Sequence, residues 1–249
     1  MTELNKESRN YYLLFNLPLQ LIGIASLFLL TNISVFLITF VISYIVIYWL
    51  GVQAGAHKLF SHKTWTPRNN KVRYFIAGLS CFGLMGGPII WAQIHRQHHM
   101  YEDTDLDPHS PKFGKIHSYY LWLFNIRDMP LMSVRDLLRD KTLVKINYYC
   151  REIVLYFLLF VILMNFNVFA GILVAGILTF HSEMSVNTFL HYLNPEDRKW
   201  TSRNNKVLSW ISGGSTLHRN HHLNLRLADL KVNNWEFDGS YLFIKILKL

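Results

Sequence analysis

Nine histidines stand at spacings that metal chemistry can use: His57 and His62 in HKLFSH, His95, His98 and His99 in HRQHH, His191 in NTFLH, and His218, His221 and His222 in HRNHH. Neutral imidazole is a ready ligand for transition metals. In a helix that carries HxxHH, positions i, i+3 and i+4 share one face, so three rings converge on one or two ions. A lone histidine on a helix is usually satisfied packing, but two such triplets in one chain point to a metal centre. The HxxxxH pair fits less neatly. Five α-helical residues turn about 140° beyond a full circle, so His57 and His62 converge only if the helix ends there or if they flank different ions. Nine imidazoles exceed what one ion holds, which implies two metals.

The donor set narrows the choice of metal. Structural zinc takes four ligands, usually thiolates, and catalytic zinc about three. Cys81 and Cys150 show neither paired nor CxxC spacing and read as small buried hydrophobes. Soluble di-iron carboxylate bundles carry ExxH pairs, and the chain has none. Imidazole also suits iron, which adds O₂ chemistry that zinc cannot perform. An imidazole-rich di-iron site remains.

The elements that must position these ligands are written in apolar runs. Of the 249 residues, 51% are hydrophobic and only 16% charged, too few polar residues to cover an ordinary soluble domain. Four runs, 11–30, 33–53, 153–166 and 168–190, approach the roughly 20 residues that cross a hydrocarbon core. They form two close pairs, broken at Thr31–Asn32 and at Asn167. No Lys or Arg lies between Tyr11 and His57 or between Glu152 and Asp197, although the net charge is +9. By the positive-inside rule, both termini and the stretches 58–151 and 192–249 are cytosolic. The segment 72–90 is apolar but interrupted by Gly83, Gly86, Gly87 and Pro88, which predicts an interfacial or cap-buried helix and not a fifth span.

Depth brings the two long helices to one level. Ile33 to His57 is about 36 Å of helix, and Val168 to His191 about 34 Å, so each delivers a histidine just beyond the cytosolic edge, with Asn187 one turn before His191. Met1 to Asn10 carries both signs of charge and no small-residue cleavage site, so no cleaved secretory signal is expected. The basic residues are scattered without a binding module, which sets nucleic acid aside. The expectation is an all-α integral membrane protein, a single domain over 1–249. Its four transmembrane helices form two hairpins beneath a cytosolic helical cap with a histidine-rich di-iron site.

From about Tyr48 to the C-terminus the chain resembles the membrane fatty acid desaturases, in particular the stearoyl-CoA desaturase-like, Δ9-type branch. The likeness is carried by HKLFSH, by WAQIHRQHH followed by DTDLDPHSPKFGKIHS, by Asn187 to His191, by HRNHH, and by WEFD from Trp235. The resemblance implies two iron ions held by the nine histidines, with Asn187 reaching an iron through a water. It also implies O₂ as oxidant and insertion of a cis double bond into a long saturated acyl chain on CoA or membrane lipid. By the same resemblance His109, His117 and His181 are not ligands. Relatives commonly read Gly-Glu-Gly-x-His-Asn before the last box, where this chain has Ser215, Thr216 and Arg219 at the Glu, second Gly and Asn positions. Gln93–Ile94 and Phe124–Asn125 replace an Arg-Asp pair and a basic pair of the animal acyl-CoA members, so a membrane-lipid acyl chain competes with acyl-CoA as substrate.

No CxxC cluster or GxGxxG occurs, so electrons must come from an external ferredoxin or small haem cytochrome. Such carriers are often acidic, and the basic excess would suit one. Trp65 and Trp91 are expected to line an acyl tunnel, and Glu183, a carboxylate inside a span, to lie at its base or tune the metal site. Two other functions compete: a membrane di-iron hydroxylase, and a metal or haem transporter, whose ligands would lie nearer the bilayer midplane.

Overall fold

A computed structural model describes residues 9–126 and 129–249; the expectation of no cleaved secretory signal rests on residues of which 1–8 lie outside them. The described chain is mostly helical. Two helices are by themselves long and apolar enough to cross a membrane, Ile33–Ser61 and Phe166–Phe189. Two bent pairs raise the number to as many as four: Asn70–Gly83 with Pro88–Met100, at 75°, and Lys141–Tyr148 with Cys150–Met164, at 61°. The first bend comes where the glycines interrupt segment 72–90, with Leu84 and Gly86 both at positive φ.

These candidates are not the four expected runs: 11–30 is not among them, and 72–90, expected to lie at the interface, falls within the first bent pair. The run 11–30 is helical over 9–27, and its polar residues turn inward: Asn16 Nδ2 donates to Leu84 O, and Gln20 bonds both Asn16 and His181. Inward pairing of this kind is how polar side chains are accommodated at membrane depth. The run 33–53 continues to Ser61. The break expected at Asn167 falls at Asn165, whose side chain caps the next helix by accepting from Val168 N, as a helix start requires.

Asn167 has another task. Its Oδ1 accepts the N–H groups of Thr31 and Asn32 and its Nδ2 donates to Thr31 Oγ1, each at 3.0 Å. One side chain thus ties the tip of the first helical pair to the start of Phe166–Phe189. Asn167→Ala should cost about 1–3 kcal/mol, the penalty for orphaned backbone donors, readable as a lower unfolding temperature in detergent micelles.

Phe166–Phe189 packs along Ile33–Tyr44, and Gly171 sets the distance: a Cβ there would meet Thr39 Cβ at 2.9 Å and Phe40 N at 3.0 Å. Small residues at such crossings let helix backbones approach closely. The outward faces stay apolar, with Leu14, Phe28, Ile38, Phe160 and Leu163 all exposed, a surface that suits lipid. Past Phe189 the chain leaves the helix. His191–Leu193 (β1) pairs antiparallel with Trp200–Ser202 (β2). His191 therefore sits on a strand, not on the continuous helix that the depth count assumed. The short helices His218–Leu223 and Gly239–Leu247 complete the end that carries the histidines.

Candidate metal centre

The nine histidines come together in two adjoining clusters. In the first, Nε2 atoms meet in a chain: His62 to His95 at 2.8 Å, His95 to His99 at 3.0 Å, His99 to His221 at 2.9 Å and His221 to His57 at 3.0 Å. In the second, His191 meets His218 at 2.8 Å and His218 meets His222 at 2.9 Å, with His98 completing the group. Each HxxHH therefore serves both clusters. His95 and His99 face one and His98 the other, while His218 and His222 face the second and His221 the first.

Local backbone geometry brings HxxxxH into line. From Ile45 to Ser61 the helix is π-wound, and the His62 N–H donates to His57 O at 3.1 Å, an i→i+5 bond. Five residues then span one hydrogen-bonded turn, so both rings enter the same cluster. Of the two arrangements expected, the structure has the first, since the helix ends at Ser61 and both rings join one group. π-turns of this kind are frequent at functional sites.

Arg96, inside HRQHH, locks this helix to the next box. Its Nε donates to Ser61 O, one Nη to Phe60 O, and both Nη reach the Asp136 carboxylate. Burial alone would push the Asp136 carboxyl up, but Arg96 and Lys63 outweigh it and hold it down at about 2. Its contribution to stability is thus present above the ordinary value of 3.8 and is lost as pH falls through about 2. The difference in unfolding temperature between wild type and Asp136→Asn should be constant above about pH 4 and shrink toward zero by about pH 2.

Outer partners orient the rings. His98 Nδ1 donates to Asp107 Oδ2 (2.9 Å), His191 Nδ1 faces both oxygens of Asp103 (3.0 and 3.1 Å), and His222 Nδ1 lies 2.9 Å from Glu102 Oε1. His57 Nδ1 donates to Gln53 Oε1 (3.0 Å), and Gln53 Nε2 donates to Glu183. The acceptors beside His98, His191 and His57 fix the proton on Nδ1 and leave a lone pair on Nε2, and the Glu102 carboxylate places its charge beside His222. Asp107 also orders its own loop, accepting the N–H groups of Asp103 and His109. Burial followed by neighbouring rings holds the imidazoles of His218 and His221 well below the ordinary range, and burial followed by Arg96 takes His62 to about 3. Rings that stay neutral at pH 7 are competent ligands.

The donor set fits metal ions. His98 Nε2 is buried and has no protein partner. In each cluster four histidines bring ring nitrogens within 4.8 Å of one another, a donor set that could hold a metal ion.

A cavity of about 40 Å³ adjoins both clusters and is lined by Trp91, His57, His98, His218, Asn187 and Glu183 among others. Its lining residues Tyr12, Met85 and Ile94 are shared with an outer cavity of about 320 Å³ that reaches Tyr148 and Arg151. Trp91 takes the expected place in the lining and stacks on His95 at 4.7 Å. Trp65 does not. Its indole N–H donates to Ala54 O inside a separate apolar core, because the chain after His62 turns back along the helix. Asn187 and Glu183 both face the inner cavity. Ser215 borders it too and shares a hydrogen bond with Tyr48 (2.8 Å). His109 stacks against His98 at 4.4 Å, His181 is bonded to Tyr119 and Gln20, and His117 packs on Phe113, so these three stand outside the clusters. Sequence reasoning assigned no role to Gln53, Arg96, Glu102, Asp103 or Asp107. The acidic run directly after HRQHH was the available signal.

Gln93, at the first position of the missing Arg-Asp pair, is buried and donates to Met129 O, while Ile94 faces both cavities. A neutral amide thus stands at the first position of the pair and an apolar side chain at the second.

The fatty acid desaturase family model matches residues 7–229. The chain is 31% identical over 221 residues to the hex-5-enoyl-(acyl-carrier protein) acetylenase of Moorena producens (strain JHB), covering 78% of this chain and 68% of that protein. It is 32% identical over 224 residues to the sn-2 palmitoyl-lipid 9-desaturase of Nostoc sp. (strain 36), covering 81% and 76%. With the Delta-9 acyl-lipid desaturase 1 of Arabidopsis thaliana it shares 28% identity over 215 residues, covering 80% and 68%. A match that takes in the helices, both histidine clusters and the cavity beside them leaves one conclusion: the chain belongs to the fatty acid desaturase family and is an oxidoreductase acting on fatty acyl chains.

Proposed function

We propose that the protein is an O₂-dependent di-iron desaturase that introduces a cis, Δ9-type double bond into a long acyl chain carried on membrane lipid. The observation that supports this most is the pairing of two imidazole clusters with a small cavity that adjoins both and shares lining residues with a larger outer one. Two iron ions, one per cluster, would supply the O₂ chemistry needed to remove hydrogens from an unactivated chain. His57, His62, His95, His99 and His221 would hold one, and His98, His191, His218 and His222 the other, with Asn187 acting through a water. Met85, Ile94 and Tyr12 form the neck through which the chain reaches the inner cavity. Trp91 presents an apolar wall beside His95, which orients the chain and keeps water from the reacting carbon atoms. Asp103, Asp107 and Gln53 keep the Nδ1 protons in place so that the Nε2 lone pairs face inward.

The lipid carrier is favoured over CoA by Gln93 and Ile94, which put no cation where an acyl-CoA headgroup contact would be expected. Two relatives are named as acyl-lipid desaturases. Four spans, with both termini and the clusters on the cytosolic side, remain the topology that the Lys and Arg distribution supports. An external ferredoxin or small haem cytochrome supplies electrons, drawn to the basic cytosolic face.

Expression in a heterologous host, followed by separation of intact lipids and mass spectrometry of their acyl chains, tests the reading. New monounsaturated chains with the double bond at carbon 9 are expected in the membrane lipids. Hydroxylated chains would indicate the hydroxylase, and unchanged lipids with altered metal uptake would indicate a transporter.

A further inference from the structure

The two clusters are backed by different chemistry. Among the described residues, every clustered histidine within ion-pair range of a carboxylate belongs to the second cluster: His98 with Asp107, His191 with Asp103 and His222 with Glu102. All three acids lie in one short loop, 102–107, directly after HRQHH. Asp103 adopts φ +57° there, a left-handed conformation that aspartate tolerates better than most residues. Asp107 joins the turn together by accepting Asp103 N–H while it holds His98. In the first cluster the partner is an amide: His57 meets Gln53, and the nearest acid in that chain, Glu183, stands one residue further away.

A carboxylate that accepts Nδ1–H makes the ring a stronger base and adds negative charge beside the ion, whereas an amide oxygen supplies orientation with less of either. The hydrogen bond acts on two of the four ligands, His98 and His191, and the Glu102 charge stands 2.9 Å from a third, His222, so the electrostatic effect has the same sign at all three. We propose that the 102–107 loop makes the two metal positions unequal: the position formed by His98, His191, His218 and His222 takes its ion first and more tightly, and Gln53 in place of an acid keeps the other the weaker. This rests on the two-metal reading above.

The full chain, purified in detergent micelles and stripped of metal, is titrated with Co(II) under nitrogen and followed by its visible absorption and by equilibrium dialysis. Wild type should bind two ions in two steps separated by at least about tenfold. Asp103→Asn and Glu102→Gln should each weaken the tighter step by about 10–100-fold, the usual effect of losing such a partner, and leave the weaker step where it was. Gln53→Glu should strengthen the weaker step and narrow the gap. Two ions taken up in a single unresolved step, or an Asp103→Asn protein weakened equally at both, would overturn the inequality. Saturation at fewer than two ions in wild type would overturn the two-metal reading beneath it, which separates the two failures.

Discussion

His98→Ala is expected to abolish double-bond formation and to leave the protein with about one metal ion instead of two. His98 is fully buried, its Nδ1 is committed to Asp107, and its Nε2 has no partner in the protein. A buried imidazole nitrogen without a partner is costly unless an ion occupies the space in front of it. Removing the ring opens one coordination position and leaves the Asp107 carboxylate facing a void. A bound metal typically contributes several kcal/mol of transition-state stabilisation, so activity should fall by about 10³-fold or more. His181→Ala is the informative contrast. It too removes a histidine from the same region, but its ring is bonded to Tyr119 and Gln20 and lies outside both clusters. Two metal ions per chain and measurable turnover are expected to survive that change. Metal analysis by plasma mass spectrometry, beside acyl-chain analysis of the host lipids, reads both. Equal metal content in His98→Ala and wild type would refute the assignment of His98 as a ligand.

What could be read from the residues, and what could not, divides along the range of the interaction. The two HxxHH triplets announce a shared helical face through a local period, and the apolar runs announce the helices through composition, so both were legible. His57 and His62 were harder. Their convergence depends on π-winding through Ile45–Ser61, and a sequence read at 3.6 residues per turn places them apart. The depth count for His191 assumed a continuous helix, whereas the helix ends at Phe189 and a short strand carries the ring. Trp65 was misassigned for a related reason: whether an indole faces a cavity or a core depends on the turn after His62, which no periodicity encodes. The partners of the ligands were legible only as a cluster of acids after HRQHH. Which acid meets which ring is decided by a six-residue loop and by strands and helices that lie about 90 residues away in sequence, as with Asp103 and His191.

Arg96→Lys should be among the most damaging conservative substitutions in the protein. The last carbonyls of a helix have no intrahelical donors, and Arg96 satisfies those of Phe60 and Ser61 while it holds Ser133 O and Asp136. The guanidinium fork does this from the same helix that presents His95, His98 and His99, so one side chain sets the distance between the first and second boxes. A lysine ammonium cannot span four acceptors held in a plane. At least two would be orphaned, at about 1–3 kcal/mol each, and the two boxes would lose their common anchor. A displacement of about 1 Å at reacting groups costs on the order of 10²-fold, which is the expected fall in turnover. Asp136→Asn isolates the ion pair from the carbonyl contacts. It keeps the bonds to Phe60 and Ser61, so it should lose stability at neutral pH but retain most of the metal and most of the activity. If Arg96→Lys instead matched Asp136→Asn in metal content and turnover, the carbonyl contacts would not be what positions the ligands. The measurements are metal content, turnover and unfolding temperature on the three proteins side by side, and the order expected in each is wild type, then Asp136→Asn, then Arg96→Lys.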